Sequence, residues 1–241
     1  MHRSAPRLTR ILACAAVPVM LVVAGCSSDS DGGSGTPDKG KGSASATPGA
    51  QQSTKTVEPA KFSKLPDVCK SISAKTTASL VPKAKAKNGT TAPSSDVSSR
   101  GGCSWNGLDD KGVKGSHYRW LDVSFYRYES DAALGSGQER AEENFTKELA
   151  KLQATEGAQK LRTTDAPGVG EQSKAVAYDL KKTGEDFKYA SVVARTGNVL
   201  VLLTYNGAGY AGAAAPTDKV VMDGAVKAAK EAVAAVAATA R

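Results

Sequence analysis

From Tyr118 to Tyr128 apolar and polar residues alternate. Leu121, Val123 and Phe125 fall on one side, and Trp120, Asp122, Ser124 and Tyr126 on the other. A period of two marks a β-strand with one face against a core, so the first set is expected to be buried. The period then changes. Ala141, Phe145, Leu149 and Leu152 recur at helical spacing, which predicts an amphipathic helix. Ser136 and Glu139 have the spacing of a capping box and set its start. Glu139, Glu142, Lys147 and Lys151 lie off the stripe and read as a solvated face.

Three more strands are expected at about 173–181, 187–195 and 199–205, joined by hairpin turns at 183–186 and 196–198. Val199 to Leu203 is continuously apolar, the pattern of a strand covered on both faces. The last helix is expected from about Asp218 to Ala240, with Thr217 as N-cap and Met222, Val226, Ala229, Val233 and Val236 as its buried stripe. Ahead of these elements, Pro66-Asp67-Val68-Cys69 opens a short helix that ends near Leu80, before Pro82. Residues 83–102 read as a loop, Cys103–Asn106 as a short strand, and 107–112 as a turn. Residues 165–170 form a turn-rich link, and Gly207 to Pro216 a flexible loop. Helices and strands in this order predict an α+β domain with a mostly antiparallel sheet packed between helices.

The N-terminus follows different rules. His2, Arg3, Arg7 and Arg10 are basic, and Ile11 to Ala24 is apolar apart from Pro18. A membrane-spanning helix needs about 20 apolar residues; this run is shorter and has the length of a secretory signal core. It ends in Val23-Ala24-Gly25-Cys26, which resembles a bacterial lipobox. The resemblance implies that residues 1–25 are a signal peptide. Cys26 would become the first mature residue, with a diacylglyceryl thioether and a palmitate-type N-acyl chain. Several chains on one residue give stable anchoring without a transmembrane helix. The expected location is the extracytoplasmic face of the cell membrane. Residues 26–60 then form a Ser/Gly/Pro-rich tether in which Val57 is the single large apolar residue, too poor in apolar surface to fold. Residues 61–241 are left as one extracytoplasmic domain.

Composition sharpens this. The formal charge is +8, and losing Arg3, Arg7 and Arg10 with the signal leaves +5. The charges are scattered, and a secreted chain does not meet nucleic acid as its main partner. The basic balance favours anionic envelope material, such as lipid headgroups or wall polymers. Of the 4 cysteines, Cys14 leaves with the signal and Cys26 takes the lipid. Cys69 and Cys103 remain in an oxidising compartment, where a pair is most simply a disulfide. A metal site would need more ligands than His117, the one mature histidine, supplies, and no cofactor motif stands in a supporting context. Gly207-Ala-Gly209-Tyr-Ala-Gly212 has the spacing of a dinucleotide loop, but no second strand follows it to complete the unit.

The lipobox, the tether, the Asp67-Val-Cys69 opening and Cys103-Ser-Trp105 occur together in actinobacterial lipoproteins. So does a Pro-Gly-x-Gly link, here Pro167-Gly168-Val169-Gly170, before a hairpin whose last strand is strongly apolar. Over residues 62–240 the chain resembles the actinobacterial lipoprotein family catalogued as domain of unknown function 3558. That resemblance implies a Cys69–Cys103 disulfide and a fold similar to the Mog1/PsbP-like α/β/α sandwich. It brings no catalytic residues.

Three functions compete. The first is a non-enzymatic envelope module that binds a small ligand, lipid, wall fragment or partner protein through a groove expected to involve Trp120, Tyr126 and Tyr205. The second is a hydrolase using paired carboxylates, Asp109-Asp110 or Glu185-Asp186, or His117 set against a hydroxyl. The third is a regulator docking onto a membrane sensor protein through an apolar patch.

Overall fold

The computed structural model describes residues 56–240. The lipobox, Cys26 and most of the tether lie outside the described residues. Seven antiparallel strands form one sheet: β1 Thr90–Thr91, β2 Arg100–Asp110, β3 Ser116–Arg127, β4 Gln159–Asp165, β5 Gln172–Lys182, β6 Glu185–Thr196 and β7 Val199–Tyr210. Their order is β1-β2-β3-β7-β6-β5-β4. The helices are α1 Ala74–Leu80, α2 Gly137–Gln153 and α3 Asp218–Ala237. This is the α+β architecture expected from the pattern.

Strand alternation sorts the side chains onto two faces. The first carries Trp105, Leu121, Val123, Phe125, Ala190, Val192, Val201, Leu203 and Tyr205, buried beneath α3 and the 62–81 segment. The second carries Val193 and Leu200 under Phe145 of α2, with Leu149 and Leu152 reaching Val176, Tyr178 and Tyr189. Helices thus cover both faces, which is why Val199 to Leu203 has no polar side. The capping box on Ser136 is present in both directions, and the Thr217 side chain accepts from the Val220 N–H.

Several expectations change. The helix expected from residue 67 to 80 is two pieces, a 3-10 turn at Val68–Lys70 and α1. Ser73 interrupts it by capping α1 with its own side chain. The supposed loop at 83–102 contains β1, and β2 runs through the supposed turn to Asp110. The glycines that read as turn signals serve close approach instead. A Cβ at Gly107 would lie 2.6 Å from the Pro82 carbonyl oxygen, where the chain crosses the strand. The expected Gly207–Pro216 loop starts later, because β7 continues to Tyr210. Gly209 lets the return segment lie against it, since a Cβ there would meet the Ala213 oxygen at 2.0 Å. That packing leaves the glycine-spaced motif no open phosphate cradle. β4 was not anticipated: it is an exposed edge strand without alternation.

The buried stripe of α3 is rotated from the one expected. Val221, Ala225, Ala228 and Ala232 join Ala229, Val233 and Val236 in the core, while Met222 and Val226 sit at its rim. Small side chains at Ala225, Ala228, Ala229 and Ala232 let the helix approach the sheet closely.

The domain also begins earlier than residue 61. The Ser130 hydroxyl donates to the Glu58 carbonyl at 2.5 Å. Phe62, 1 % exposed, enters the core, held by a fully buried Asn198 in the β6–β7 turn. Phe62 N–H donates to Asn198 Oδ1 at 2.8 Å, and Asn198 Nδ2 donates to the Phe62 and Tyr128 carbonyls at 3.0 and 2.8 Å. Cys69 and Cys103 form a disulfide, with Cα atoms 5.2 Å apart, joining the 3-10 turn to β2.

Candidate functional site

Helix α2 packs on β5, β6 and β7. The second-face side chains of β2 and β3 therefore stay partly open to solvent: Trp120 is 41 % exposed and Leu108 42 %. Register arranges this strip into cross-strand rows. One row runs Asn106, Trp120, Asn206, Tyr189; the next runs Ser104, Asp122, Thr204, Ser191. The Ser191 and Thr204 hydroxyls are 2.9 Å apart and bond to each other, closing the strip toward α2.

Asn206 and Asp122, in adjacent rows, both lack hydrogen-bond partners among the described residues for their side-chain oxygens. Asn206 is 4 % exposed, and its Oδ1 is buried with no hydrogen bond. An unpaired buried acceptor costs about 1–3 kcal/mol, so native chains rarely leave one. Asp122 is half-buried, and burial pushes its carboxyl above the usual carboxylate range. It has neither a cation nor a hydrogen-bond donor among the described residues. Trp120 pairs with no other described ring. At one end of the strip Leu108, Tyr118, Tyr210 and Asn106 line an apolar hollow of about 290 Å³. At the other, Arg100, Ser124 and Tyr126 line one of about 260 Å³.

The groove expected from Trp120, Tyr126 and Tyr205 is not one groove. Trp120 and Tyr126 share the second face. Tyr205 lies on the first, 2 % exposed, with its hydroxyl donating to the Leu80 carbonyl at 2.7 Å. Its odd position in β7 turns it to the core. Asp122 was placed on the non-core side of its strand by alternation. Asn206 was missed because β7 was expected to stop at Tyr205.

Of the hydrolase groups, Asp109 and His117 are direct cross-strand partners on β2 and β3. His117 points to the first face, and its Nδ1 is buried without a partner, so no hydroxyl is set against it. Asp110 accepts from the Gly112 N–H and the Ser116 hydroxyl, both at 2.8 Å, which holds its carboxyl below the ordinary range. That suits a turn, not a proton donor at neutral pH. No group of three or more His, Cys, Asp or Glu among the described residues is arranged to hold a metal ion.

Another hollow, of about 580 Å³, adjoins the disulfide between Lys70, Ser73, Lys87 and Trp105. Two of its polar groups are already used: Ser73 N–H donates to Glu231 at 2.7 Å, and Trp105 Nε1 to the Lys87 carbonyl at 3.3 Å. No helix among the described residues is long and apolar enough to cross a membrane.

No family model and no curated protein matches the chain. Among solved structures it is similar to the crystal structure of LpqN, described as involved in cell envelope biogenesis of Mycobacterium tuberculosis. The identity is 14 %, over 59 % of this chain and 82 % of that one, with a TM-score of 0.32.

Proposed function

We propose that the chain is a lipoprotein held on the extracytoplasmic face of the cell membrane through Cys26. Its domain is a non-enzymatic binding module whose site is the open strip over β2, β3 and β7. The lipobox and the resemblance to actinobacterial lipoproteins support the anchor. One observation carries the site: Asn206 is almost wholly buried with an unpartnered Oδ1, in the row beside an unpaired Asp122 and next to a half-exposed Trp120. A fold that leaves two acceptors unanswered at one open place is complete when a ligand brings the donors.

Two experiments test this. Cys26→Ser is expected to move the protein out of the membrane fraction or stall it as precursor; normal retention of a processed Cys26→Ser protein would refute the anchor. For the site, the full chain in detergent micelles is incubated with isolated envelope. Wild type is expected to be retained, and Trp120→Ala with Asp122→Asn to wash off. Equal retention of both refutes the strip.

A further inference from the structure

Resting on the reading of the strip as a binding site, we propose that its ligand is a carbohydrate, bound by adjacent ring hydroxyls donating to Asn206 and Asp122 while the ring face lies on Trp120. Asn206 Oδ1 and the Asp122 carboxylate both accept, so the ligand must donate at two nearby points. On β7, Asn206 stands two residues from Thr204, the partner of Asp122. The two side chains are therefore diagonal neighbours across β3 and β7, with Cβ atoms roughly 7–8 Å apart or less.

The surroundings match the same chemistry. Ser104, Ser124, Thr204 and Asn106 offer donors and acceptors at short spacing, as the alternating hydroxyls and ring oxygens of a sugar require. Trp120 is the direct cross-strand neighbour of Asn206, so the half-exposed indole offers a flat apolar surface to the C–H face of a ring beside the amide, and binding requires side-chain movement that exposes the buried Asn206 Oδ1. An organic cation is the rival ligand for a carboxylate beside an aromatic ring. It is favoured where several rings form a cage, and Trp120 stands without a second ring.

The test uses envelope retention of the full chain in detergent micelles, before and after periodate, which cleaves vicinal diols. Loss of retention after periodate is expected. Trp120→Ala is expected to weaken retention at least ten-fold on untreated envelope, and Trp120→Phe less. Asn206→Leu, which removes the unpaired amide, is expected to fold at least as stably and also lose retention. Retention that needs Trp120 but survives periodate, or that choline displaces, overturns the carbohydrate while leaving the strip standing. Retention indifferent to Trp120 overturns both.

Discussion

Asn198 is the residue whose loss reports most on how this domain is closed. Its side chain makes three hydrogen bonds, one accepted from Phe62 N–H and two donated to the Phe62 and Tyr128 carbonyls, at full burial. Each neutral bond contributes about 0.5–1.5 kcal/mol net, and stranded buried partners add to the loss. Asn198→Ala is therefore expected to cost about 3–4 kcal/mol, which for a domain of this size lowers Tm by roughly 10 °C. Asn198→Asp separates geometry from chemistry. The carboxylate keeps an acceptor for Phe62 N–H but faces two carbonyl oxygens and is buried, so its pKa rises on folding. A carboxyl with a raised folded pKa destabilises as pH climbs above its unfolded value near 4. Asn198→Asp should thus be at least as damaged as Asn198→Ala at pH 7 and partly recovered at pH 4. Thermal melts followed through the buried Trp105 measure both, and trypsin should cut sooner at Lys61 and Lys64 as the Phe62 segment loosens. Variants within about 0.5 kcal/mol of wild type, with unchanged cleavage, would refute the bracket.

Replacing Cys69 and Cys103 by Ala opens a loop with a sequence separation of 34 and should cost about 4 kcal/mol on the chain-entropy relation, read as a drop in denaturant midpoint. Gly209→Val should prevent the Ala213 segment from lying on β7 and lower soluble yield, whereas Gly184→Ala, where nothing lies within 4 Å, should cost only its positive-φ strain in melts. Asp122 has a raised folded pKa from burial, so its ionisation destabilises the free domain. Asp122→Asn should match wild type in acid and gain on it as pH rises past about 4, a trend that denaturation at several pH values would show or exclude. Ser136→Ala should cost about 1 kcal/mol by removing the capping box, seen in the same melts.

What could be read from the sequence was what depends on near neighbours. The alternation in β3, the Ser136–Glu139 box and the Thr217 cap are local signals, and each appears in place. β2 and the end of β7 were cut short because Gly107, Gly207 and Gly209 look like turn residues. Their roles exist only once distant segments meet: Gly107 lets Pro82 cross, Gly209 lets Ala213 cross, and Gly207 leaves space for the Arg119 side chain of β3. β4 is polar on both sides because it is an edge, so it leaves no period to find. The site shows the same division. Alternation puts Asp122 and Trp120 on the outer side of β3, but Asn206 joins them only through the β3–β7 register. Tyr205, one position away, was grouped with Trp120 and Tyr126 in one groove, although the same register turns it to the core.

The chain holds 2 tryptophans, Trp105 in the core and Trp120 on the strip, so labelling with 5-fluorotryptophan yields two 19F resonances. The full chain in detergent micelles, titrated with envelope carbohydrate, should show the Trp120 signal moving and the Trp105 signal fixed. Binding that leaves the Trp120 signal in place would contradict the assignment of the open strip as the binding site.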